Sequence, residues 1–481
     1  MLNRKLLEVL AHLNTAEKKR LRQFLLSPFF NNGTHAAETV RLYDLIIRHN
    51  ADEGHPALSK ESVFRASFPG KPFKEKTKSP LDSLASALFQ LVRRYLCQVD
   101  LERENGELHE HLALARFYRK FAYEERFWQT MKAVRHLQSD ASLRDASYYF
   151  NQFRVEEEEL SFRGLYNSFE DDANLNEVHK NLDLYYSILK LEFTCTMEHQ
   201  KRAAQIDKYP PTPLFEAIWS LSEQGGPLDI PINQIYRLAL SLMQNPESEE
   251  LFKMFEHFLD QYEPLVTIEK FKDLRALHRF IWAQRYLKSG DQFSLRQTFD
   301  IYREHLGKGY FYFDGFIPHS TFRNLITSAL ILGEFDWAKN FLDTHPPERI
   351  GGTRYPVEIH SLNLAEYYFY LKNYEETLNK LVYRHFENPI FSILADVLLV
   401  KIYYETQNEL LDSRMKALDQ KIRRSKLSRE VKSRYYNFLK KLDKIIKYGW
   451  QTKNPKRARL IEEIKTTPEI IAREWLLEKL A

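Results

Sequence analysis

TFRNLITSALILGEFDWAKNFLDTHPP (321–347), EIHSLNLAEYYFYLKNYEETLNKL (358–381) and PIFSILADVLLVKIYYETQNELLDSRMKAL (389–418) follow one another in this chain. Each begins with an apolar helix, reaches a short polar turn and continues into a second, amphipathic helix. The turns are Leu332-Gly333-Glu334, Leu371-Lys372-Asn373 and Thr406-Gln407-Asn408; their central residues are 39 and 35 residues apart. That spacing lies in the range of stacked helix-pair repeats. A helix pair of this size has a face it cannot bury alone, so neighbouring pairs must stack and share one core. The stretch from about Ser320 to Arg424 therefore predicts an all-α chain, an α-solenoid of antiparallel helix pairs.

The composition agrees. Among 481 residues there are 15 glycines and 19 prolines, and aromatic residues make up 14%. Low glycine with abundant Leu, Glu, Lys and Arg favours helix nearly throughout, and no alternating β-branched run is long enough for a sheet. Cys97 and Cys195 lie far apart in apolar helical patterns, as small core residues in a reducing compartment. The N-terminal segment MLNRKLLEVLAHLNTAEKKR lacks the apolar core of a secretory leader. No apolar run approaches the roughly 20 residues a bilayer requires. The expectation is a cytoplasmic protein with no membrane contact.

Four regions are expected. Residues 1–100 form an N-terminal helical cap or winged-helix-like region. Residues 101–209 form helical pairs with an acidic face. Residues 210–427 carry the tetratricopeptide-like repeats, clearest at 320–424, and residues 428–481 supply a basic helix and C-terminal caps. The prolines of Tyr209-Pro210-Pro211-Thr212-Pro213 mark the best internal boundary.

Within the first region, Asn14 or Thr15 caps a helix. Phe29 and Phe30 are expected to insert beneath the helix that follows. Residues 58–96 place a short helix, a lysine-rich loop and a long helix in the order of a helix-turn-helix. Lys71, Lys74, Lys76 and Lys78 would then meet phosphates. Against that, the segment has no clear wing strands and few polar residues suited to base edges. In the second region Leu114, Phe117, Phe121, Phe127, Met131 and Leu137 are expected to face inward. Glu156 to Glu159 are expected to form a solvated acidic face, since four adjacent residues span a full turn and cannot converge on one metal.

The net charge of +4 is unevenly spread. Residues 151–250 hold 8 basic and 18 acidic side chains, and residues 401–460 hold 18 basic and 6 acidic. Such asymmetry concerns partners, not fold. The basic stretch supplies one candidate partner or nucleic-acid surface: Lys421, Arg423, Arg424, Lys426, Arg429, Lys432, Lys440, Lys441, Lys444 and Lys447. Its bland counterpart is a lysine-covered outer face whose stems shield apolar neighbours. Docking of the basic 401–460 region on the acidic 151–250 region of another copy would give a homo-oligomer. The loop at 307–318 supplies another candidate, in which Tyr310, Tyr312 and Phe316 could line a ligand groove or plug the end of a helical layer.

The three pairs resemble tetratricopeptide repeats. The resemblance rests on Gly333, Phe335, Trp337 and Ala338 in the first pair, and on Leu364, Ala365, Tyr368, Lys372-Asn373-Tyr374 and Leu381 in the second. Thr377 and Asp412 depart from the pattern, standing where a small alanine is usual. The whole chain resembles an uncharacterised family of bacterial helical-repeat proteins. That likeness runs through AEKKRLRQFLLSPFFN (16–31), LSKESVFRASFPG (58–70), LGEFDWAKNFLD (332–343), LVKIYYE (399–405), RYYNFLKKL (434–442) and REWLLEKL (473–480). It implies a fold and no activity.

Signatures for several chemistries are missing from the sequence. It has no His-Glu-x-x-His helix, no Gly-x-Ser-x-Gly elbow, no Cys-x-x-Cys pair and no dinucleotide glycine fingerprint. No cofactor, metal or catalytic residue is nominated. The expectation is a non-enzymatic protein-interaction scaffold that holds an unidentified protein or peptide in a helical groove. The alternative is a nucleic-acid-binding or transcription-associated protein using 59–94 and 421–459.

Overall fold

The structure is a computed structural model that describes residues 4–52, 54–70, 72–73, 80–103, 106–166, 174–204, 212–312, 315–382, 386–448, 455–467 and 470–480. Among these residues the chain is all-α, apart from one short parallel pairing of two-residue strands. The first helices are α1 (Arg4–His12), α2 (Thr15–Leu26), α3 (Ala36–Arg48), α4 (Lys60–Ser67), α5 (Pro80–Arg103), α6 (Gly106–Lys120), α7 (Glu124–Asp140) and α8 (Ala146–Leu165). Next come α9 (Leu175–Ala204), α10 (Phe215–Leu221), α11 (Pro231–Gln244), α12 (Glu249–Tyr262), α13 (Ile268–Ser289), α14 (Gln292–Gly307), α15 (His319–Ile331) and α16 (Phe335–Thr344). The last are α17 (Pro356–Tyr370), α18 (Tyr374–Val382), α19 (Pro389–Glu405), α20 (Leu411–Arg424), α21 (Arg429–Tyr448), α22 (Pro455–Thr466) and α23 (Arg473–Glu478). The strands β1 (Ile317–Pro318) and β2 (Ile350–Gly351) flank α15 and α16.

The chain divides into two compact units, one of Met1–Asp140 with Arg154–Leu175 and one of Ala141–Phe153 with Asn176–Ala481. In the first, α2 begins with a capping box: Asn14 accepts from the Glu17 amide at 2.9 Å, and Glu17 accepts from the Asn14 amide at 2.9 Å. Two orphan helix donors are satisfied reciprocally. Ser59 caps α4 through the Ser62 amide at 3.4 Å. Leu6, Leu10, Leu21, Leu42, Leu88 and Val92 form the dry centre of one core. Phe127 and Phe162 stack at 4.0 Å in a second. Lys71, Lys74, Lys76 and Lys78 lie outside the described residues.

Several sequence expectations for this unit are corrected. Phe30 stacks on Phe24 at 4.1 Å, but Phe29 is 73% exposed. Phe127 and Met131 are buried as expected, whereas Leu114 and Phe117 on α6 and Phe121 in the turn after it are exposed. Cys97 is exposed. The glutamate run is not a solvated face, because Glu156, Glu158 and Glu159 are buried. Arg135 donates to both oxygens of Glu156 at 2.8 and 3.0 Å and to Glu159 at 2.5 Å. Arg119 meets Glu158 at 2.6 Å and Arg163 meets Glu159 at 2.8 Å. Only Glu157 of the four is exposed. Arginines of α6, α7 and α8 itself turn a surface charge run into an internal network.

In the second unit, several sequence-adjacent helices pack against each other: α11 with α12, α13 with α14, α17 with α18 and α19 with α20. The turns at Gly333, Lys372 and Gln407 share one backbone geometry. Their φ angles are 76°, 59° and 51°. The amide after each reaches back five residues, from Glu334 to Ala329, Asn373 to Tyr368 and Asn408 to Tyr403, each at 2.9 Å. This is the left-handed helix ending in which late amides satisfy the last carbonyls. Glycine adopts it without strain at 333; lysine and glutamine do so at a cost. Thr377, which departs from the repeat pattern, is fully buried and donates to the Asn373 carbonyl at 2.8 Å. Asp412 is exposed and pairs with Lys416 at 2.7 Å.

Candidate functional site

A cavity of about 540 Å³ in the second unit lies among α9, α11, α13, α14 and α15. That volume is within the range of small-ligand and peptide sites. Glu192, Cys195, Thr196 and His199 recur at helical spacing on α9, as do Asp273, Leu277 and Phe280 on α13, so each helix gives one face to the cavity. Thr267 caps the start of α13 by accepting from the Lys270 amide at 3.2 Å, which fixes that helix's phase. Lys270 reaches Glu192 at 2.6 Å and His199 meets Phe280 edge-on at 4.2 Å, so α9 and α13 are tied at both ends of the wall. From α15, Asn324 donates to the Tyr302 hydroxyl at 3.0 Å.

Charge is unequally satisfied within this wall. The Arg279 guanidinium lies 4.4 Å from the Tyr302 ring centre and 5.2 Å from that of Phe311, with Nη1 3.5 Å from His305 Nδ1. No carboxylate among the described residues pairs with it. Burial lowers its pKa. His199 is also lowered, first by burial and then by Arg279. His305 falls to about 4 through burial and the nearby Arg279 and Arg275. Burial raises Asp273, with Lys270 opposing and Glu192 adding to the rise. Glu192 Oε2 is buried, and the Tyr236 hydroxyl is in hydrogen-bonding reach of that carboxylate.

The residues nominated from sequence fall elsewhere. Lys421 pairs with Asp396 and reaches Ser392 Oγ at 2.9 Å. Arg423 meets Asp419 at 2.8 Å, and Lys432 donates to the Arg423 carbonyl at 3.1 Å. Lys441 and Lys444 converge on Glu463 at 2.9 and 2.7 Å and hold its pKa down to about 2. Lys447 pairs with Asp443 at 2.8 Å. Arg424, Lys426, Arg429 and Lys440 are exposed and make no ion pair among the described residues. Much of the basic stretch is thus neutralised by the chain's own carboxylates.

In the aromatic loop, Tyr312 shares a 2.6 Å hydrogen bond with His345 Nε2. Tyr310 receives Lys272 at 4.7 Å over its ring. Phe316 is half exposed and crowds Gly351, where a Cβ would come within 2.9 Å of it. None of these three rings lines the cavity. Phe311, between them, is buried under Arg279 and supports the cavity from behind. Arg279 and Asp273 were not nominated from sequence, since charged residues on an amphipathic helix carry no mark of which neighbour they will meet.

Among the described residues, no helix is long and apolar enough to cross a membrane, and no group of three or more His, Cys, Asp or Glu side chains is placed to hold a metal. The chain matches no family model, no curated protein and no solved structure.

Proposed function

We propose that this chain is a non-enzymatic binding scaffold. In this reading its helix pairs stack as tetratricopeptide-like layers, in the manner of the bacterial helical-repeat family its motifs resemble, and it works in the cytoplasm. The second unit holds a peptide or a segment of a partner protein in the α9–α13 cavity. The carrying observation is that cavity, a wall built from five helices and left with an unpaired guanidinium at Arg279. A buried charge without a partner is costly to fold around and is answered by a bound counter-charge. The recurrent left-handed turns at Gly333, Lys372 and Gln407 support the repeat plan, because like turns orient successive pairs alike.

Replacing Leu277 by a photo-crosslinking phenylalanine analogue in the full chain tests the reading. Discrete cross-linked protein is expected from that position, with little from the same analogue at exposed Leu410. Loss of the adduct in the Arg279→Glu background is also expected. Equal labelling at both positions would contradict it. Nucleic-acid association is the second reading, favoured by Arg424, Lys426, Arg429 and Lys440. Phosphate contacts from these four would give a steep salt dependence, with log K falling about 0.9 per neutralised phosphate.

A further inference from the structure

The geometry points to a binding site for a short free peptide of two or three residues, its terminal amine meeting Glu192 and Asp273 and its terminal carboxylate meeting Arg279. This deepens the scaffold reading and rests on it. One end of the cavity offers acceptors: Glu192 Oε2 is buried with the neutral Tyr236 hydroxyl beside its carboxylate, and Asp273 forms no ion pair among the described residues. The other end offers donors, the unpaired Arg279 guanidinium and the imidazole of His199. Lys270 already neutralises one oxygen of Glu192 at 2.6 Å, so the acidic end retains capacity for one further cation and not for several.

The helix rise gives a scale for the length. Asp273 and Arg279 are six residues apart on α13, which is about 9 Å along the axis at 1.5 Å per residue. Glu192 and His199 are seven apart on α9, about 10 Å by the same rise. An extended chain advances about 3.3–3.6 Å per residue, so a tripeptide spans about 10 Å between its charged ends. Leu274, Ala276 and Leu277 lie between the ends and give an apolar central side chain a surface to cover.

Calorimetric titration of the full chain with Ala-Leu-Ala, its N-acetyl form and its C-terminal amide tests the site. Each capped form is expected to bind at least about 10-fold more weakly than the free peptide. Arg279→Met should erase the difference between free peptide and amide, and Arg279→Lys should restore part of it. Asp273→Asn should erase most of the difference between free and acetylated peptide. Thermal melts of each variant establish that it folds. Equal binding of the three peptides, or no heat from any at about 10 mM, would overturn the inference. If the Leu277 cross-link persisted in that case, only the peptide assignment would fall; if it were also absent, the scaffold reading would fall with it.

Discussion

The Lys401 ammonium lies 4.2 Å from the centre of the Phe369 ring, with Trp475 at 5.4 Å and Tyr370 at 5.8 Å. No carboxylate within ion-pair distance meets it among the described residues. Glu405, its near neighbour, is taken by Lys479 at 2.6 Å and by the Trp475 indole N–H at 2.6 Å. Aromatic faces offset only part of the lost hydration of an ammonium, and burial pulls the Lys401 pKa down to about 8.

Lys401→Met should therefore stabilise the second unit by about 1–3 kcal/mol, because it removes a buried charge and keeps the volume. The pH dependence follows from the same depression. Between about 8 and the ordinary lysine value near 10.5 the folded chain binds fewer protons than the unfolded chain, so this group's contribution to stability rises with pH across that window. The variant should lose that rise. Chemical denaturation at pH 7, 8.5 and 10 checks both expectations; a destabilised variant would show that the ring contacts outweigh desolvation.

The glutamate network of the first unit should be intolerant of losing one arginine. Arg135→Ala leaves Glu156 and Glu159 buried with fewer donors, and about 3–5 kcal/mol of destabilisation is expected. Arg135 is itself partly exposed, which places the value at the lower end. A urea titration of the variant that matched the parent would show that water already serves these carboxylates.

The three left-handed turns predict opposite signs for related changes. Gly333→Ala has open space for its new methyl group, so its cost is conformational alone, about 1 kcal/mol. Lys372→Gly and Gln407→Gly relieve the same strain and should be neutral to about 1 kcal/mol stabilising. Thermal melts of the three single variants check the signs.

Two aromatic residues close in sequence should respond very differently. Phe117→Ser, on the exposed side of α6, should change stability by less than about 0.5 kcal/mol. Phe127→Ala, stacked on Phe162 at the dry centre, should cost about 3–5 kcal/mol.

That contrast shows what the sequence could and could not convey. Helical content was legible because it follows from local composition and periodicity. The Asn14 cap and the turns at 333, 372 and 407 were legible for the same reason: each is decided within a few residues. The partner of a charged or aromatic side chain is decided across tens of residues. Glu156, Glu158 and Glu159 read as a solvated run until Arg119, Arg135 and Arg163 are seen around them. Phe117 and Phe127 both fit an apolar helical phase, and only tertiary packing separates them. The Arg279 cavity escaped notice on the same ground, since α9, α13 and α15 contribute to it from positions more than 120 residues apart in the extreme.

On the proposed reading, the α9–α13 wall, anchored at Arg279, is the binding surface of the second unit. Hydrogen–deuterium exchange of the full chain, with and without the partner recovered through Leu277, tests it most directly. Slowed exchange in 192–199 and 273–283 upon binding is the predicted result. Protection confined to 421–448, with those two segments unchanged, would contradict it.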